Sequence, residues 1–477
     1  MSSTVNKRIK IIATIGPVSR SKEMIWKLHQ AGANIFRMNF SHGDHSDHIQ
    51  VINWVRELNE EHGTNICLLQ DLQGPKIRTN MIEDDGVEIK AGDTIEIESG
   101  DFVGNAKRIS TTYETIAEDV KPGDSILIDD GNLELEVLNT DGKSVTAKVI
   151  FGGLLKSRKG INLPSTAISV PSLTEKDTKD LLFGIEHGVD WIALSFVRSA
   201  QDILDLKEIV KSKGKDIKVI SKIEKPEAIS NMDEIIEVTD ALMVARGDLG
   251  VEIDMAKVPL IQKELISKCN AAKKPVIVAT QMMESMIKNP RPTRAETNDV
   301  ANAIMDGADV VMLSGESAAG DYPKEAVSAM SRIIKEVEDN TDKIYHKYYD
   351  YDPNSATRLN DSLISAACQL AQESDAKAIV GMTESGFTAL AIACHRPKAN
   401  IYVFTNNKSL VTRLNLLFGV TAFYYDKSSN TDETIDDVKD FLKNKGLVKK
   451  GDVVVNTASM PVWKQNKTNM VKISSVE

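Results

Sequence analysis

The feature that most constrains the fold is a regular alternation of short buried strands with amphipathic helices, interrupted once. Near the N-terminus, three apolar or β-branched runs are separated by helical patterns: Lys10–Ile15, Asn34–Asn39 and Ile66–Asp71. Parallel strands need such crossover helices, because the chain must return to the same end of the sheet before the next strand begins. The pattern therefore predicts a parallel sheet covered by helices.

The alternation resumes after residue 173 with five more runs typical of buried strands. They are Asp190–Phe196, Lys218–Ile223, Ala241–Ala245, Val276–Thr280 and Val310–Leu313. With the first three they make eight strand–helix units over roughly 270 residues, close to the usual size of a (β/α)₈ barrel. A doubly wound open sheet is the competing arrangement, but its edge strands should look less buried. We therefore expect a closed α/β TIM barrel.

Residues 87–151, between the two groups of strands, have a different pattern of polar and apolar residues. Thr94–Glu98, Leu133–Val137 and Val145–Val149 alternate polar and apolar residues, and Asp-Gly pairs separate such runs. This alternation is typical of antiparallel strands with one face in water. The segment predicts a small antiparallel β-barrel inserted into the larger barrel as a lid.

These textures divide the chain into three domains. We expect a catalytic barrel from residues 1–72 and 170–344, and an inserted β lid domain at 73–169. A C-terminal α/β domain should occupy 345–477, where a helical pattern is followed by further alternation of strands and helices. We assign the candidate effector site and the candidate oligomer contact to this last domain.

Charge and cysteine content exclude several classes of protein. The chain has 477 residues, with 58 Lys or Arg and 69 Asp or Glu, so its net charge is −11. That balance argues against a nucleic-acid partner, which would need a basic surface. No apolar run reaches the roughly 18 residues that span a membrane. Four well-separated cysteines without a CxxC pair indicate reduced, buried thiols and a cytoplasmic location.

Polar and charged residues follow six of the eight predicted barrel strands. Catalytic side chains of such barrels project from the carboxyl ends of the strands, so this set should share one rim. One charge at a strand end is ordinarily just solvated, but a whole rim of them is hard to explain by packing. In chain order the set is Arg37, Asn39, Ser41, His42, Asp71, Gln73, Lys76, Arg78, Lys222, Glu224, Arg246, Gly247, Asp248, Thr280, Gln281, Ser314 and Glu316.

The chemistry of this rim suits a phosphate and a divalent metal. Glu224 and Asp248 follow adjacent strands, and Mg²⁺ is commonly held by one or two carboxylates together with substrate phosphates. The alternative is a pair of surface salt bridges to Lys222 and Arg246. The planar guanidinium of Arg37 can bind phosphate through two hydrogen bonds. Lys222 can neutralise the charge that develops on a transferring phosphoryl group.

Eight segments, in order between residues 13 and 316, resemble the pyruvate kinase family, and the resemblance continues into the C-terminal domain, so that it covers nearly the whole chain. The resemblance implies that phosphoenolpyruvate gives its phosphoryl group to ADP, yielding pyruvate and ATP in glycolysis. Two other functions stay open: a different Mg²⁺-dependent barrel enzyme acting on phosphoenolpyruvate or pyruvate, such as a carbon–carbon lyase, and a metabolite sensor with a decayed barrel. The matching segments are Ala13–Pro17, Arg37–Gly43, Gln73–Arg78, Ser221–Glu224, Met243–Gly250, Ala279–Met282, Arg291–Glu296 and Leu313–Glu316.

The resemblance also implies roles for individual residues. Glu224 and Asp248 would hold Mg²⁺, with Mn²⁺ as a substitute. Thr280 would take part in the relay that protonates the product enolate, and the β domain would close as a lid. The implied substrate contacts are Arg37, Lys222, Gly247, Asp248 and Thr280, of which Lys222, Arg37 and Thr280 are catalytic. The implied nucleotide contacts are Asn39, His42, Arg78 and Lys159.

One departure from the common family pattern concerns a monovalent cation. Many members have Thr and Glu where this chain has Leu72 and Lys76, and those members need K⁺. Of the oxygen ligands, Asn39, Ser41 and Asp71 are kept, but Leu72 removes one. The pattern is similar to the K⁺-independent branch of the family. We therefore expect the ammonium of Lys76 to replace K⁺.

A second departure concerns regulation. A C-terminal segment resembles the family's effector-phosphate loop, but Glu384 adds a negative charge beside it, and the loop at 460–469 lacks the usual glycines. Two interpretations stay open: a phosphorylated effector binds there, or an ordinary helix cap remains from a lost site. The family implies a homotetramer. The candidate effector residues are Thr383, Ser385, Gly386 and Thr388.

Overall fold

The computed structural model describes residues 7–164, 166, 168–349, 355–427, 430–460 and 468–477. Its first part alternates buried strands with capped helices. Ser21 and Asp44 accept hydrogen bonds from backbone amides of the first helical turns, and Gly32 and Gly63 end the helices at positive φ. The elements are β1 (Lys10–Ile15), α1 (Lys22–Ala31), β2 (Ile35–Asn39), α2 (His45–His62) and β3 (Cys67–Asp71).

The inserted segment forms its own β domain with its own apolar core. A six-stranded sheet runs in the order β11-β7-β8-β9-β5-β6, and β4 pairs with β10. Every pair is antiparallel, as predicted, except β5 with β6, which is parallel. Single bridges from Arg78 to Gly160 and from Thr79 to Thr111 join the two edges of the sheet into a barrel-like form. The elements are β4 (Val87–Ile89), β5 (Thr94–Ser99), β6 (Arg108–Thr111), α3 (Ile116–Asp119), β7 (Ser125–Ile128), β8 (Leu133–Thr140), β9 (Ser144–Phe151), β10 (Gly153–Leu155) and β11 (Ile161–Asn162).

The chain then returns to the first pattern and adds five buried strands with their helices. The strands are β12 (Trp191–Leu194), β13 (Lys218–Ile223), β14 (Ala241–Ala245), β15 (Val276–Ala279) and β16 (Val310–Leu313). The helices are α4 (Glu175–His187), α5 (Ala200–Ser212), α6 (Pro226–Ser230), α7 (Met232–Val238), α8 (Arg246–Glu252), α9 (Val258–Ala271), α10 (Arg294–Asp306), α11 (Gly315–Ala318) and α12 (Pro323–Asn340).

The eight strands close into a barrel in the order β1-β16-β15-β14-β13-β12-β3-β2, and all pairs are parallel. The predicted TIM barrel is confirmed, and the open doubly wound sheet is wrong. Two strands end earlier than predicted, because the backbone takes a positive φ angle at their ends. Phe196 has a φ of 54° and Thr280 a φ of 70°, values that an extended strand does not adopt. These residues therefore turn away from the sheet at the catalytic rim.

The C-terminal domain is a five-stranded sheet in the order β19-β18-β17-β20-β21, parallel except for β21. The sequence interpretation missed β19 and β21, because neither strand carries the continuous apolar run of a buried parallel strand. The elements are α13 (Arg358–Glu373), β17 (Ala378–Met382), α14 (Phe387–Cys394), β18 (Asn400–Thr405), α15 (Lys408–Arg413), β19 (Val420–Tyr424), α16 (Thr431–Asn444), β20 (Val453–Ala458) and β21 (Met470–Ser475).

The C-terminal domain covers the amino-terminal end of the barrel, opposite the catalytic rim. Trp191, at the start of β12, donates its indole N–H to the Arg413 carbonyl over 3.1 Å. Arg396 is fully buried and donates to the carbonyls of Gly307 and Ala308. All four cysteines are free and buried, as expected. Within the described part of the chain, no helix combines the length and the apolar character needed to cross a bilayer.

Candidate active site

The centre of the catalytic rim is a buried lysine between two carboxylates. Lys222, near the end of β13, places its Nζ 2.8 Å from Glu224 Oε1 and 3.3 Å from Asp71 Oδ1. Burial alone would lower the pKa of Lys222, but the two carboxylates outweigh it and raise the pKa well above its usual value. The same ion pairs lower the pKa of Asp71 against the effect of its own burial. Lys222 is therefore a fixed cation at neutral pH.

Arg37 joins this cluster from the neighbouring side of the barrel. Its Nε donates to Asp71 Oδ2 over 2.6 Å, and its Nη1 donates to Thr14 Oγ1 over 3.0 Å. Register places Arg37 opposite Thr14 on one side and Leu69 on the other, so the side chain is held at the rim by both neighbouring strands. Arg37 and Lys222 therefore bring two cations together at the rim, and the carboxylates of Asp71 and Glu224 hold them in place.

The two predicted metal ligands lie close enough to affect one another. Burial raises the pKa of Glu224, Lys222 opposes this rise, and the charge of Asp248 adds to it. Glu224 Oε2 accepts the Phe196 N–H over 2.7 Å, whereas buried Oε1 has no well-formed hydrogen bond although it lies near Lys222 Nζ. An acceptor left in this state beside a second carboxylate suits a hard cation.

The two predicted carboxylates can fill only some of the coordination positions of a metal ion. Among the residues that the structure describes, no three His, Cys, Asp or Glu side chains form a cluster that would complete a metal site. Glu224 and Asp248 would supply two oxygen ligands at most from carboxylates, and the remaining positions would be filled by substrate oxygens and water. That arrangement is typical of Mg²⁺ sites that act on phosphates.

Thr280 and Gly247 meet at the ends of two adjacent strands. The Gly247 N–H donates to Thr280 Oγ1 over 2.7 Å, and Thr280 Oγ1 donates to the Ala279 carbonyl over 2.6 Å. Arg246 holds the same turn, because it donates to the Thr280 carbonyl over 2.8 Å and pairs with Asp299 at 2.7 Å. The hydroxyl is thus positioned beside the start of α8, which carries Asp248.

The predicted nucleotide contacts separate into two groups. His42 is exposed, and its pKa is lowered by partial burial and then by three nearby cations, Arg78, Lys76 and Arg37. These four residues form a positive cluster at the rim. Lys159 lies in the lid and pairs with Asp129, with Lys159 Nζ 2.7 Å from Asp129 Oδ1.

The residues predicted to surround a monovalent cation differ in their hydrogen bonds, ion pairs and exposure. Asn39 Oδ1 accepts the Ser41 N–H over 3.1 Å, while Asp71 is occupied by Arg37 and Lys222. Lys76 is exposed in the cleft between barrel and lid, which it lines together with Asp248. Within the described ranges no carboxylate forms an ion pair with Lys76.

The candidate effector residues lie in the turn from β17 into α14. Gly386, at a φ of 88°, donates its N–H to Thr383 Oγ1 over 3.0 Å, and the Phe387 N–H donates to Ser385 Oγ over 3.4 Å. The buried Thr388 hydroxyl bonds to that of Thr468 over 2.8 Å. Two amides that would face a phosphate are therefore already capped by side chains of the same loop. Residues 461–467 of the second predicted effector loop lie outside the described residues.

Sequence reasoning missed Ser195 and Phe196, which follow the fourth barrel strand. Lys222 Nζ donates to Ser195 Oγ over 2.6 Å, and Ser195 Oγ donates to the Leu72 carbonyl over 2.8 Å. A Cβ at Gly74 would lie 2.7 Å from the Phe196 ring, so the loop after β3 needs glycine there. The available signal was a serine near the carboxyl end of the predicted strand Asp190–Phe196, because six other strands had been interpreted by the polar residues at the same position.

Glu252 was also missed, and it joins the lid to the barrel. Asn162, at the end of β11, donates its side-chain N–H to Glu252 Oε1 over 2.8 Å. Lys225 Nζ lies 2.8 Å from the same oxygen. Glu252 ends α8, four residues after Asp248, and Lys225 directly follows Glu224. The lid is thereby hydrogen-bonded to a residue beside both predicted metal ligands.

Comparisons with known proteins agree with this geometry. Residues 6–327 match the family model of the pyruvate kinase barrel domain, and residues 361–474 match that of the pyruvate kinase alpha/beta domain. A pyruvate kinase of Geobacillus stearothermophilus is 44% identical over 98% of this chain and 80% of its own length. One of Clostridium perfringens is 43% identical over 98% of this chain and 100% of its own length. A crystal structure of a pyruvate kinase from Cryptosporidium parvum, 34% identical, superposes with a TM-score of 0.92 over 99% of this chain and 97% of that one.

Proposed function

The chain belongs to the pyruvate kinase family, whose members transfer the phosphoryl group of phosphoenolpyruvate to ADP, and we propose how its own residues perform that transfer. The observation that carries the proposal is Lys222 Nζ between Asp71 and Glu224, at 3.3 and 2.8 Å. A cation fixed at this point can stabilise the charge that develops on the transferring phosphoryl group. Family membership decides against the carbon–carbon lyase, and the retained Lys222, Glu224, Asp248 and Thr280 argue against a decayed sensor.

Substrate binding is assigned to the charges around Lys222. Arg37, oriented by Asp71 and Thr14, presents its remaining guanidinium N–H groups to the phosphate. Ser195 fixes the direction of the Lys222 side chain through the 2.6 Å hydrogen bond. Because these groups are already held by the fold, little reorganisation is needed when the phosphoryl group moves.

Members of this family generally use Mg²⁺, and we assign its protein ligands to Glu224 and Asp248, with Mn²⁺ as a substitute. The metal supplies charge neutralisation between the two substrates when it is bound. Gly247, which precedes Asp248 at the start of α8, contributes backbone contact to the substrate. Glu224 is kept in place by the Phe196 N–H.

Proton delivery to the enolate is assigned to Thr280. Its hydroxyl is positioned by the Gly247 amide and the Ala279 carbonyl, so the oxygen is oriented but not acidic by itself. We propose that a water carries the proton and that Thr280 orients this water.

Nucleotide binding is assigned to Asn39, His42, Arg78 and, from the lid, Lys159. The positive cluster around His42 suits the phosphates of ADP. Closing of the lid would bring Lys159 to the nucleotide and exclude water from the phosphoryl group. A lid that moves needs the domain boundaries proposed above: the barrel at 1–72 and 170–344, the lid at 73–169 and the C-terminal domain at 345–477. The hinges would lie next to residues 73 and 169.

We propose that the chain does not need K⁺, because Lys76 supplies a cation in its place. Activity should be equal in K⁺ buffer and in buffer with tetramethylammonium as the only monovalent cation. The variant Lys76→Glu should become K⁺-dependent, and Lys143→Glu, at an exposed lid lysine, is the charge-matched control. Strong activation of the unchanged chain by K⁺ would contradict the assignment.

We propose that the chain forms a homotetramer in the cytoplasm. Light scattering measures the oligomeric state.

We propose that phosphorylated effectors act at Thr383, Ser385, Gly386 and Thr388. For the effector, saturation curves for phosphoenolpyruvate should shift when a sugar phosphate or nucleotide is added. Curves that remain unchanged with every such compound would leave the loop as an ordinary helix cap.

The overall activity is tested by coupling pyruvate formation to lactate dehydrogenase. Pyruvate should appear only when ADP, phosphoenolpyruvate and a divalent cation are all present, and ATP should appear in equal amount. Pyruvate formation without ADP would contradict phosphoryl transfer to a nucleotide.

A further inference from the structure

A cavity of about 360 Å³ lies between the amino-terminal end of the barrel and the C-terminal domain, away from the catalytic rim. Trp191 and Lys218, the first residues of β12 and β13, form part of its barrel side. The carboxyl ends of the same two strands lead to Ser195 and Lys222 in the active site. The cavity is large enough for a small metabolite.

One side of the cavity carries an excess of positive charge. Its basic lining residues are Lys218, Lys273, Lys274 and Arg413, and its acidic lining residue is Asp240. Asp240 is already paired with a lysine outside the lining. Lys273 is paired with Asp361 at 2.6 Å, so the excess of positive charge comes from Lys218, Lys274 and Arg413.

The partners of these cations leave part of the charge uncompensated. Lys218 and Arg413 share one carboxylate, that of Asp216, at 2.9 Å each, and Asp216 is 72% exposed to water. Lys274 Nζ donates to the Thr239 carbonyl over 2.6 Å and forms no ion pair with a carboxylate in the described ranges. Its pKa is lowered, first by partial burial, and the charge of Asp240 opposes this shift without reversing it.

Arg413 supplies an independent indication of a ligand. Its side chain is only 8% exposed, yet the buried Nε atom has no hydrogen-bond partner. An unpaired buried donor costs free energy, so it is ordinarily matched by an acceptor. An anionic oxygen in the cavity that Arg413 lines would provide one.

The C-terminal domain also gives the cavity an apolar part of its lining. Phe387, Leu390 and Leu410 of the C-terminal domain line it. A ligand that uses both sides needs a compact negative group and an apolar or planar body. A phosphate monoester fits, because it carries a charge between about −1.5 and −2 at neutral pH and has three acceptor oxygens.

We propose that this interdomain cavity binds a small phosphate monoester with an apolar or planar organic part. The phosphate is held by Lys218, Lys274 and Arg413, and the organic part packs on Phe387 and the leucines. The site borders the effector loop at Ser385 and Gly386, but its charge comes from the barrel and from α15. It therefore does not depend on phosphate binding by the amides of that loop.

The test is calorimetric titration of the full chain with phenyl phosphate, inorganic phosphate and benzoate. Phenyl phosphate should bind most tightly, because it alone combines a dianion with an apolar ring. Benzoate that binds as tightly would contradict the phosphate assignment. Inorganic phosphate that binds as tightly would contradict the apolar part of the site.

Variants locate the site. In Lys218→Gln/Lys274→Gln, phenyl phosphate should bind at least tenfold more weakly, while the activity of the chain stays unchanged and shows that it is folded. The control Lys143→Gln/Lys148→Gln removes two exposed lysines from the lid and should bind normally. Affinity that is unchanged in the cavity variant would overturn the proposal.

Two further variants separate the cavity from the other phosphate sites. Lys222→Met damages the active site and Thr388→Val alters the effector loop, and both should keep normal affinity for phenyl phosphate. Weaker binding in Lys222→Met alone would assign the ligand to the active site. Weaker binding in Thr388→Val alone would assign it to the loop, and either result would overturn the cavity site.

Discussion

The two ends of the barrel each bury a lysine, and the surroundings of these lysines are opposite. Lys222, at the carboxyl end, lies between Asp71 and Glu224, which raise its pKa against the effect of burial. Lys10, at the amino end, donates to the Val420 carbonyl over 2.8 Å, and burial lowers its pKa to about 8. At the carboxyl end two carboxylates contact the ammonium directly, whereas at the amino end the close contact is a neutral carbonyl and the charge of Glu338 offsets burial only in part.

The coverings of the two ends differ in the same way. The amino end is covered by the C-terminal domain, with Arg396 fully buried, bonded to barrel carbonyls and 4.6 Å from the Phe418 ring. The carboxyl end meets the lid through isolated polar contacts such as Asn162 with Glu252. The C-terminal domain is therefore held to the barrel by buried contacts, whereas the few polar contacts of the lid suit a surface that must open to admit substrate.

The largest expected effect separates the two lysines. Lys222→Met should lower kcat about 10³-fold or more, because it removes the cation next to the transferring phosphoryl group. Lys10→Met should leave kcat unchanged. Steady-state kinetics measure both, and circular dichroism checks that each variant is folded. Equal loss of activity in both variants would contradict the distinction between the two ends.

The second prediction concerns the pH dependence of stability at the amino end. Folded Lys10 loses its proton near pH 8, but the unfolded chain keeps it to about pH 10.5, so the unfolded state binds more protons in this window. The Lys10 charge therefore destabilises the fold below pH 8, and this cost disappears as pH rises toward 10.5.

Lys10→Met removes that pH dependence. Its free energy of unfolding should exceed that of the unchanged chain by up to about 3 kcal/mol at pH 7, less the lost hydrogen bond, and the advantage should shrink between pH 8 and 10.5. Urea unfolding of both proteins at several pH values measures this difference in the free energy of unfolding. An advantage that grows with pH in this window would have the wrong sign.

The third prediction returns to the carboxyl end. Thr280→Val should lower kcat about 100-fold, because the hydroxyl that orients the proton-carrying water is lost. Thr280→Ser keeps the hydroxyl and should retain most of the activity. Exchange of solvent deuterium into the methyl group of pyruvate measures the proton step by itself. Normal exchange in Thr280→Val would remove Thr280 from that step.

The smallest expected effect tests the lid contact. Asn162→Ala should raise the KM for ADP severalfold and release some phosphoenolpyruvate as pyruvate and free phosphate, because water enters a less tightly closed site. The control Asn139→Ala removes an exposed lid asparagine. The ratio of pyruvate to ATP is the measurement, and a ratio of one in both variants would show that the contact does not exclude water.

Much of the catalytic rim could be predicted from the sequence, because the barrel strands are largely apolar runs and the polar residues at or just after the carboxyl end of each run must lie near the rim. Lys222, Glu224, Arg37 and Asp71 were found in this way, and the structure brings their side chains together. Ser195 was accessible by the same rule but was missed. The rule identifies which residues share the rim, but not which atoms they contact.

The sequence by itself determined the barrel, the insertion of a β domain and the residues of the rim, since these depend on periodicity over a few neighbouring residues. Only the tertiary structure decided that Asn162 reaches Glu252 and that Arg413 is left with an unpaired Nε beside a cavity. These contacts join residues that are distant along the chain and lie in different domains. No local pattern specifies such a distance, because it depends on how the finished domains pack against one another.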